Sequence, residues 1–501
     1  MKQGLPQVGR FVSLFFRKRG IVCMFDALII GCGITGAAMA YELSKYALTV
    51  GILERENDVA DGTTKANSAI LHAGYDPKPG TLMAKLNVRG SVLAKQLCQA
   101  LDVPYVSYGS LVLAFSAEEE KTLETLLHRG QKNGVPQLRL LNQTQLQALE
   151  PGVSPLATAA LYATTAAICS PWEYCLALAE TAVRNGAALH LETEVTGLTR
   201  QAFGWTVHTN RGDFQTRLLI NAAGVDAARI HDLALPHDYD IHPTRGEYFL
   251  LDKSEGKKAS HVLFQCPGVK GKGVLVAPTV HGNLIAGPNA EAVPKEDTSN
   301  TAAGMDFVRE RAAKTLPGID FRQSIRNFAG VRANTGLGDF VIRLHPEGFL
   351  DLAGICSPGL TAAPAIAEYA CGLLREAGWR LEEKEGLILK RRRIRFKELS
   401  AAEKEALIQR SSAYGRVICR CETVTEGEIL AAFRAPIPPR SVDAVKRRVN
   451  AGMGRCQGGF CGPRVVELLA RELGISPGQV LQDKAGTKIL LEPTKGGWSH
   501  V

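Results

Sequence analysis

The stretch Phe25-Asp26-Ala27-Leu28-Ile29-Ile30-Gly31-Cys32-Gly33-Ile34-Thr35-Gly36 decides the fold. Phe25 to Ile30 reads as a short buried strand and is followed by a glycine turn. A helix is expected from about Ile34 to Tyr46 and a second strand from Leu48 to Leu53. Gly31 permits the tight bend. Gly33 lets the backbone approach a pyrophosphate, and Gly36 lets helix and strand pack closely. Ile34 and Thr35 open the helix, whose N-terminus faces the phosphate. Glu54 ends the second strand, where its carboxylate can accept hydrogen bonds from an adenosine ribose. A lone glycine fingerprint is weak evidence, but strand, turn, helix, second strand and terminal acid together mark a dinucleotide site.

Four cysteines stand far downstream, as Cys419-Arg420-Cys421 and Cys456-Gln457-Gly458-Gly459-Phe460-Cys461. This spacing departs from structural zinc sites, whose paired ligands more often stand two to four residues apart, and from the common ferredoxin patterns. A cluster, a zinc ion and free thiols all stay open on spacing alone. Twelve cysteines in 501 residues do not make a disulfide scaffold, and a reducing cytoplasm is the expected setting.

A chain this long predicts two or three domains, and 45% hydrophobic residues allow a large core. The net charge of +9 is concentrated in Lys390–Arg395 and Lys446–Arg448. With 6% aromatics and no accompanying motif, these runs do not read as nucleic-acid binding. The first reads as a solvated linker, the second as a solvated helix face or a docking surface for an acidic partner. Residues 1–23 form a lead whose apolar Phe11–Phe16 is too short to span a bilayer. It is a weak interfacial anchor at most, or precedes a native start at Met24, so any membrane contact is expected to be peripheral, at the inner face.

Further along, helices are expected at 85–101, 117–133 and Trp172–Asn185, then one alternating strand Ala188–Leu198 and a hairpin through 203–222. Residues 240–345 read as strand-rich, with a last strand Phe349–Ala353 and a helix Ala363–Glu376. The tail carries helical stretches at Glu426–Phe433, Ser441–Ala451 and Pro463–Leu473. Asn221-Ala222-Ala223-Gly224 and Gly354 to Thr361 put small residues at strand ends, which suits an extended cofactor. No second fingerprint offers a place for NAD: Gly336-Leu337-Gly338 and Gly271-Lys272-Gly273 lack the strand–helix frame.

Several motifs in order then carry a resemblance. Asn67–Tyr75 with Lys85-Leu86, Pro243–Tyr248, Ala277–Thr279 with Gly287-Pro288, and Ala329–Arg332 resemble FAD-dependent oxidoreductases of the D-amino-acid-oxidase superfamily. The branches nearest in pattern are L-2-hydroxyglutarate oxidases and the large subunits of anaerobic glycerol-3-phosphate dehydrogenases. Val417–Glu422 and Gly452–Pro463 are similar to the bacterioferritin-associated ferredoxin-like domain. The resemblance implies an α/β fold. A Rossmann-like FAD-binding domain interleaves with an antiparallel-sheet substrate domain (24–378), followed by a linker (379–415), a small helical iron–sulfur domain (416–475) and a tail (476–501).

It also implies FAD held by Gly31, Gly33, Ile34, Thr35, Gly36, Glu54, Thr63, Thr64, Asn67, Ser68, Val195, Ala223, Gly224, Gly354, Gly359, Leu360 and Thr361. Cys419, Cys421, Cys456 and Cys461 would bind a 2Fe–2S cluster. Such a cluster carries a net charge of about −2, which Arg420, Arg455 and Arg464 would offset; Pro463 suits a first helical turn, so Cys461 would sit near a helix N-terminus, where anionic sulfur is favoured. His72 is the expected base, Arg332 and Arg245 the expected cations for a small anionic substrate, and Tyr248, with Glu247, a positioning group. The expected reaction is oxidation of glycerol 3-phosphate, with the cluster passing electrons to a second flavoprotein or a quinone-linked subunit. Alternatives are L-2-hydroxyglutarate or another 2-hydroxy acid, an amino or imino acid, or a redox sensor without catalysis.

Overall fold

The computed structural model of the chain describes residues 24–268 and 273–492; the lead at 1–23 lies outside them. The glycine fingerprint sits where expected. The strand Met24–Ile30 pairs in parallel with Val50–Leu53 on one side and Gly212–Asn221 on the other. Gly212–Asn221 pairs in parallel with Phe349–Ala353. Met24–Ile30, Val50–Leu53 and Phe349–Ala353 are buried along most of their length, and Gly212–Asn221 over its C-terminal half, as parallel strands covered on both faces must be. The helices Ile34–Leu43, Pro171–Arg184 and Gly359–Glu376 pack on this sheet through alanines and other small side chains.

The single strand expected over Ala188–Leu198 is two strands. Ala188–His190 pairs with Val50–Leu53, whereas Val195–Gln201 pairs with Gly204–Thr209 at the other end of the sheet. Alternation of apolar residues runs through the crossing and hides it.

A second, mostly antiparallel sheet of nine strands carries the substrate side, with His242–Leu251 paired along its length with Ser324–Asn334. The helix Ala302–Thr315, absent from the sequence reading, packs under it through Met305, Val308 and Ala312. The small C-terminal domain has two short strands, Val417–Cys419 and Val424–Thr425, and helices Glu426–Phe433, Val442–Val449 and Gly462–Leu473 around Ile429, Val445 and Leu469.

Both basic runs are corrected. Arg391 donates to Glu180 at 2.7 Å, Arg393 to Glu173 at 2.6 Å and Arg395 to Asp102 at 2.8 Å. The linker is thus strapped to the dinucleotide domain. Lys446, Arg447 and Arg448 are buried, and the acidic partner of the two arginines is the chain's own Asp58, Asp61 and Asp483. Among the described residues no helix is long and apolar enough to cross a membrane.

Candidate active site and iron–sulfur centre

The carboxyl ends of the parallel strands open on one cavity of about 1460 Å³. It is lined at one end by Gly31, Gly33, Glu54, Thr63, Thr64, Val195, Ala223 and Gly224, and elsewhere by His72, Tyr248, Phe264 and Arg332. Ligands of open α/β sheets bind at this edge. The glycine turn is built for close approach. Gly31 has φ +97°, and a Cβ there would lie 2.6 Å from the Ala222 carbonyl oxygen. A Cβ on Gly36 would lie 2.0 Å from the Gly31 carbonyl oxygen, so Gly36 serves helix–strand packing and does not line the cavity. A Cβ on Gly33 would meet only the Thr64 hydroxyl, at 3.2 Å, and Gly33 faces the cavity.

The segment 54–65 wraps this turn. Cys32 N donates to Glu54 Oε2 at 2.8 Å, Ala60 N to the Cys32 carbonyl at 3.1 Å, and Ile34 N to Thr64 Oγ1 at 3.0 Å. Burial pushes the Glu54 carboxyl up to about 7, against the lowering effect of the Glu56 and Cys32 amides. Thr63 Oγ1 donates to the Val331 carbonyl at 2.6 Å. Asn67 is bonded to the Thr63 and Thr64 carbonyls and to Ala69 N, and with Ser68 it lines the cavity. Ile34, Thr35, Gly359 and Leu360 also reach the cavity wall. Gly354 and Thr361 do not; Thr361 Oγ1 accepts from His72 N at 2.9 Å and so positions His72 from behind.

Strand alternation sorts the substrate-side residues. Thr244 and Tyr248 share the cavity face of His242–Leu251, and Arg332, paired opposite Thr244, joins them. Gly246 makes room, since a Cβ there would lie 2.3 Å from Arg332 Nη2. Arg332 donates to the Asn289 carbonyl at 3.2 Å and, among the described residues, has no carboxylate partner. Arg245 lies on the opposite face and is corrected: it is 3% exposed and donates to Asp297, Ser299 and Glu291 at 2.7, 3.0 and 2.9 Å. Its charge is consumed there, beside a buried Glu247 that accepts from Asn289 and Thr301. Tyr248 is stacked on Phe328 at 4.8 Å, and burial raises its phenol although Arg332 opposes this.

His72 lines the cavity with its ring tilted on Phe264, and its Nε2 lies 3.2 Å from Ser357 Oγ. The Asn87 amide fixes its backbone by donating to the His72 carbonyl at 2.8 Å. The sequence reading missed Ser357, Phe264, Lys295, Arg311 and Lys314 in the wall, and also Asp483 and Lys484 from the tail. Only Ser357 carried a signal, as part of the small-residue motif at the last strand end.

In the C-terminal domain the four cysteines converge. Cys421 and Cys456 Sγ lie 3.6 Å apart at the surface, while Cys419 and Cys461 form a buried, hydrogen-bonded pair. Two thiolates on one tetrahedral ion, with bonds of about 2.3 Å, lie about 3.8 Å apart, so two such pairs suit two iron ions. Backbone amides point at the sulfurs: Gly452 N donates to Cys419 Sγ at 3.5 Å, and Gly458 and Phe460 donate to Cys456. The shared hydrogen bond with Cys461 lowers the Cys419 thiol to about 6. This donor set fits an anionic cluster, and the glycine-lined cavity fits FAD.

The fold and the two sites define a flavin-dependent oxidoreductase carrying its own one-electron centre. Comparison with known proteins agrees: residues 26–373 match the FAD dependent oxidoreductase family and residues 417–471 the BFD-like [2Fe-2S] binding domain. The chain belongs to the FAD-dependent oxidoreductases and binds FAD and a 2Fe–2S cluster. It is 47% identical to the glycerol 3-phosphate dehydrogenase of Caloramator mitchellensis over 94% of this chain and 99% of that protein. It is 27% identical to an L-2-hydroxyglutarate dehydrogenase of Escherichia coli over 68% of this chain and 79% of that protein. The solved dithionite-reduced, FAD-bound L-α-glycerophosphate oxidase of Mycoplasma pneumoniae superposes with TM-score 0.70 at 32% identity, covering 74% of this chain and 98% of its own.

Proposed function

We propose that this chain is a glycerol 3-phosphate dehydrogenase that sends electrons out through its iron–sulfur domain. The observation that carries the reading is the 47% likeness to the Caloramator mitchellensis dehydrogenase along nearly the whole of both chains. The Mycoplasma genitalium glycerol 3-phosphate oxidase, by contrast, covers 70% of this chain.

Bound FAD supplies a two-electron acceptor for hydride, and the cluster a one-electron relay. Arg332 binds the substrate phosphate through its planar fork, because it is a strand-borne cation in the cavity that has no carboxylate partner among the described residues. His72 Nε2 takes the hydroxyl proton once the substrate hydroxyl displaces Ser357 Oγ, which lies 3.2 Å from that nitrogen. Tyr248, rigid on Phe328, forms the wall beside Arg332. The alcohol loses one hydride and one proton and becomes a ketone.

Electrons leave at the exposed Cys421–Cys456 edge. Arg420 stacks on Phe460 there, at 4.4 Å from its ring, and Arg455 flanks it. Phe460 is 57% exposed beside the buried Cys461, an apolar anchor for a protein partner. The acceptor is a second flavoprotein or a quinone-linked subunit that takes electrons singly, and any membrane contact is through it.

Anaerobic mixing with candidate substrates tests the reading. Glycerol 3-phosphate is expected to bleach the flavin within the turnover time. Bleaching by L-2-hydroxyglutarate and not by glycerol 3-phosphate would replace the substrate; bleaching by no small metabolite would leave a redox sensor.

A further inference from the structure

The segment after the last helix of the iron–sulfur domain returns to the FAD cavity. Leu481 and Gln482 carbonyls accept from Val442 and Asp443 N at 3.0 and 2.8 Å, and Gln482 Nε2 donates to Asp443 at 2.7 Å. This lays the segment along the start of the helix Val442–Val449. Asp483 and Lys484 then enter the cavity wall with Asp61, Gly62, Thr63, Thr64 and Lys65.

The same place holds a buried ion cluster. Asp483 accepts from Lys65 Nζ at 2.7 Å and from Arg447 Nη1 at 3.1 Å, and its carbonyl accepts from Asn57 at 2.7 Å. Arg447 also donates to Asp61 at 3.1 Å and to Asp58 at 3.0 Å. Arg448 grips Asp58 with two bonds of 2.8 Å. Arg447 and Arg448 are 5% and 3% exposed, and Asp58 is 1% exposed. Asp58 and Asp61 belong to the segment that ties both ends of the glycine turn through Glu54, Ala60 and Thr64. The loop that shapes the nucleotide end of the cavity is therefore neutralised by arginines of the other domain.

We propose that the tail following the iron–sulfur domain is part of the FAD site: Asp483 and Lys484 complete its wall, and the Arg447–Arg448 cluster couples flavin retention to docking of that domain. Lys484 offers a cation toward the cofactor's anionic half, and Asp483 fixes the backbone that presents it. Coupling of this kind is reciprocal, so bound FAD holds the domain docked, and an undocked domain releases FAD. The consequence for the relay is that the cluster is docked whenever the flavin is present.

The experiment follows flavin release by fluorescence on the holoprotein. It compares the parent chain with Lys484→Ala, Asp483→Ala, Arg447→Gln and a chain ending at Leu481, which keeps the buried Val480. Arg471→Gln, on the domain's exposed side, is the control. Iron and labile sulfide are measured in each. Release at least fivefold faster in Lys484→Ala, Asp483→Ala and the shortened chain, with parental iron and sulfide and an unchanged control, is the expected result. Parental release from the shortened chain would overturn the proposal. So would loss of flavin together with iron and sulfide, which would signal a general failure of the domain. Should Arg447→Gln fail to fold, the two tail substitutions and the shortened chain still decide. In the FAD-free protein, amide exchange across Val442–Val449 should quicken; equal protection with and without FAD counts against coupling.

Discussion

Arg332 reaches the cavity because its strand partner Thr244 and its neighbour Gly246 leave it space on that face. A guanidinium without a carboxylate, on a wall shared with a histidine, is the arrangement a small anion needs. Replacing Arg332 with alanine is expected to weaken substrate binding by about 2–5 kcal/mol while FAD content stays normal. Lysine should restore part of the loss, since it keeps the charge and lacks the fork. Anaerobic titration of the flavin spectrum with substrate measures both. An unchanged dissociation constant would move the anion site to Arg311 or Lys314, which also line the cavity. Arg245 is not an alternative, because three polar partners already hold it. Its neighbour Tyr248 is three positions away on a strand, so the two face opposite ways. That separation is readable in the sequence by counting in twos, once the segment is taken as a strand.

At the scale of elements, the three fingerprint glycines do different work. Gly31 and Gly36 are required by the protein's own backbone, and Gly33 by what enters the cavity. Gly36→Ala forces its Cβ onto the Gly31 carbonyl and is expected to lower the melting temperature even of the FAD-free protein. Gly33→Ala meets only a threonine hydroxyl and should leave that melting temperature within a few degrees while FAD affinity falls. Thermal melts with and without FAD compare them; equal losses in the FAD-free state would make Gly33 a packing residue too. The helix Val442–Val449 shows the opposite case. Its basic run has the composition of a solvated face, yet the side chains are buried against carboxylates from another domain. Removing one member of such a pair typically costs about 3–5 kcal/mol, because the other charge stays buried alone.

At the scale of the whole molecule, two redox centres share one chain, and their exposure differs. The flavin cavity is enclosed by two domains and a returning tail, whereas Cys421 and Cys456 stand at the surface. Substrate is therefore expected to reduce the flavin of Cys456→Ser at the parental rate, while transfer to a one-electron acceptor protein is lost. Turnover with oxygen should be slow in both. Stopped-flow flavin bleaching and steady-state acceptor reduction separate the steps; a Cys456→Ser protein that reduces the acceptor normally would make the cluster structural.

Local rules carried the first βαβ unit, the small residues at strand ends and the position of Glu54. Each rests on backbone geometry or chemistry confined to a few neighbouring residues, which the sequence by itself determines. The resemblance in ordered motifs extended this to the family and both cofactors. Tertiary structure alone decided which cation faces the cavity, that Ala188–Leu198 is split between the two ends of a sheet, and that Arg391, Arg393, Arg395 and the second basic run pair with carboxylates of the chain itself. It alone placed Asp483 and Lys484 against the cofactor loop. These outcomes depend on which distant carboxylate or strand edge lies opposite a residue. Charge and hydropathy along a chain describe what a side chain can bind, and only the fold supplies the partner.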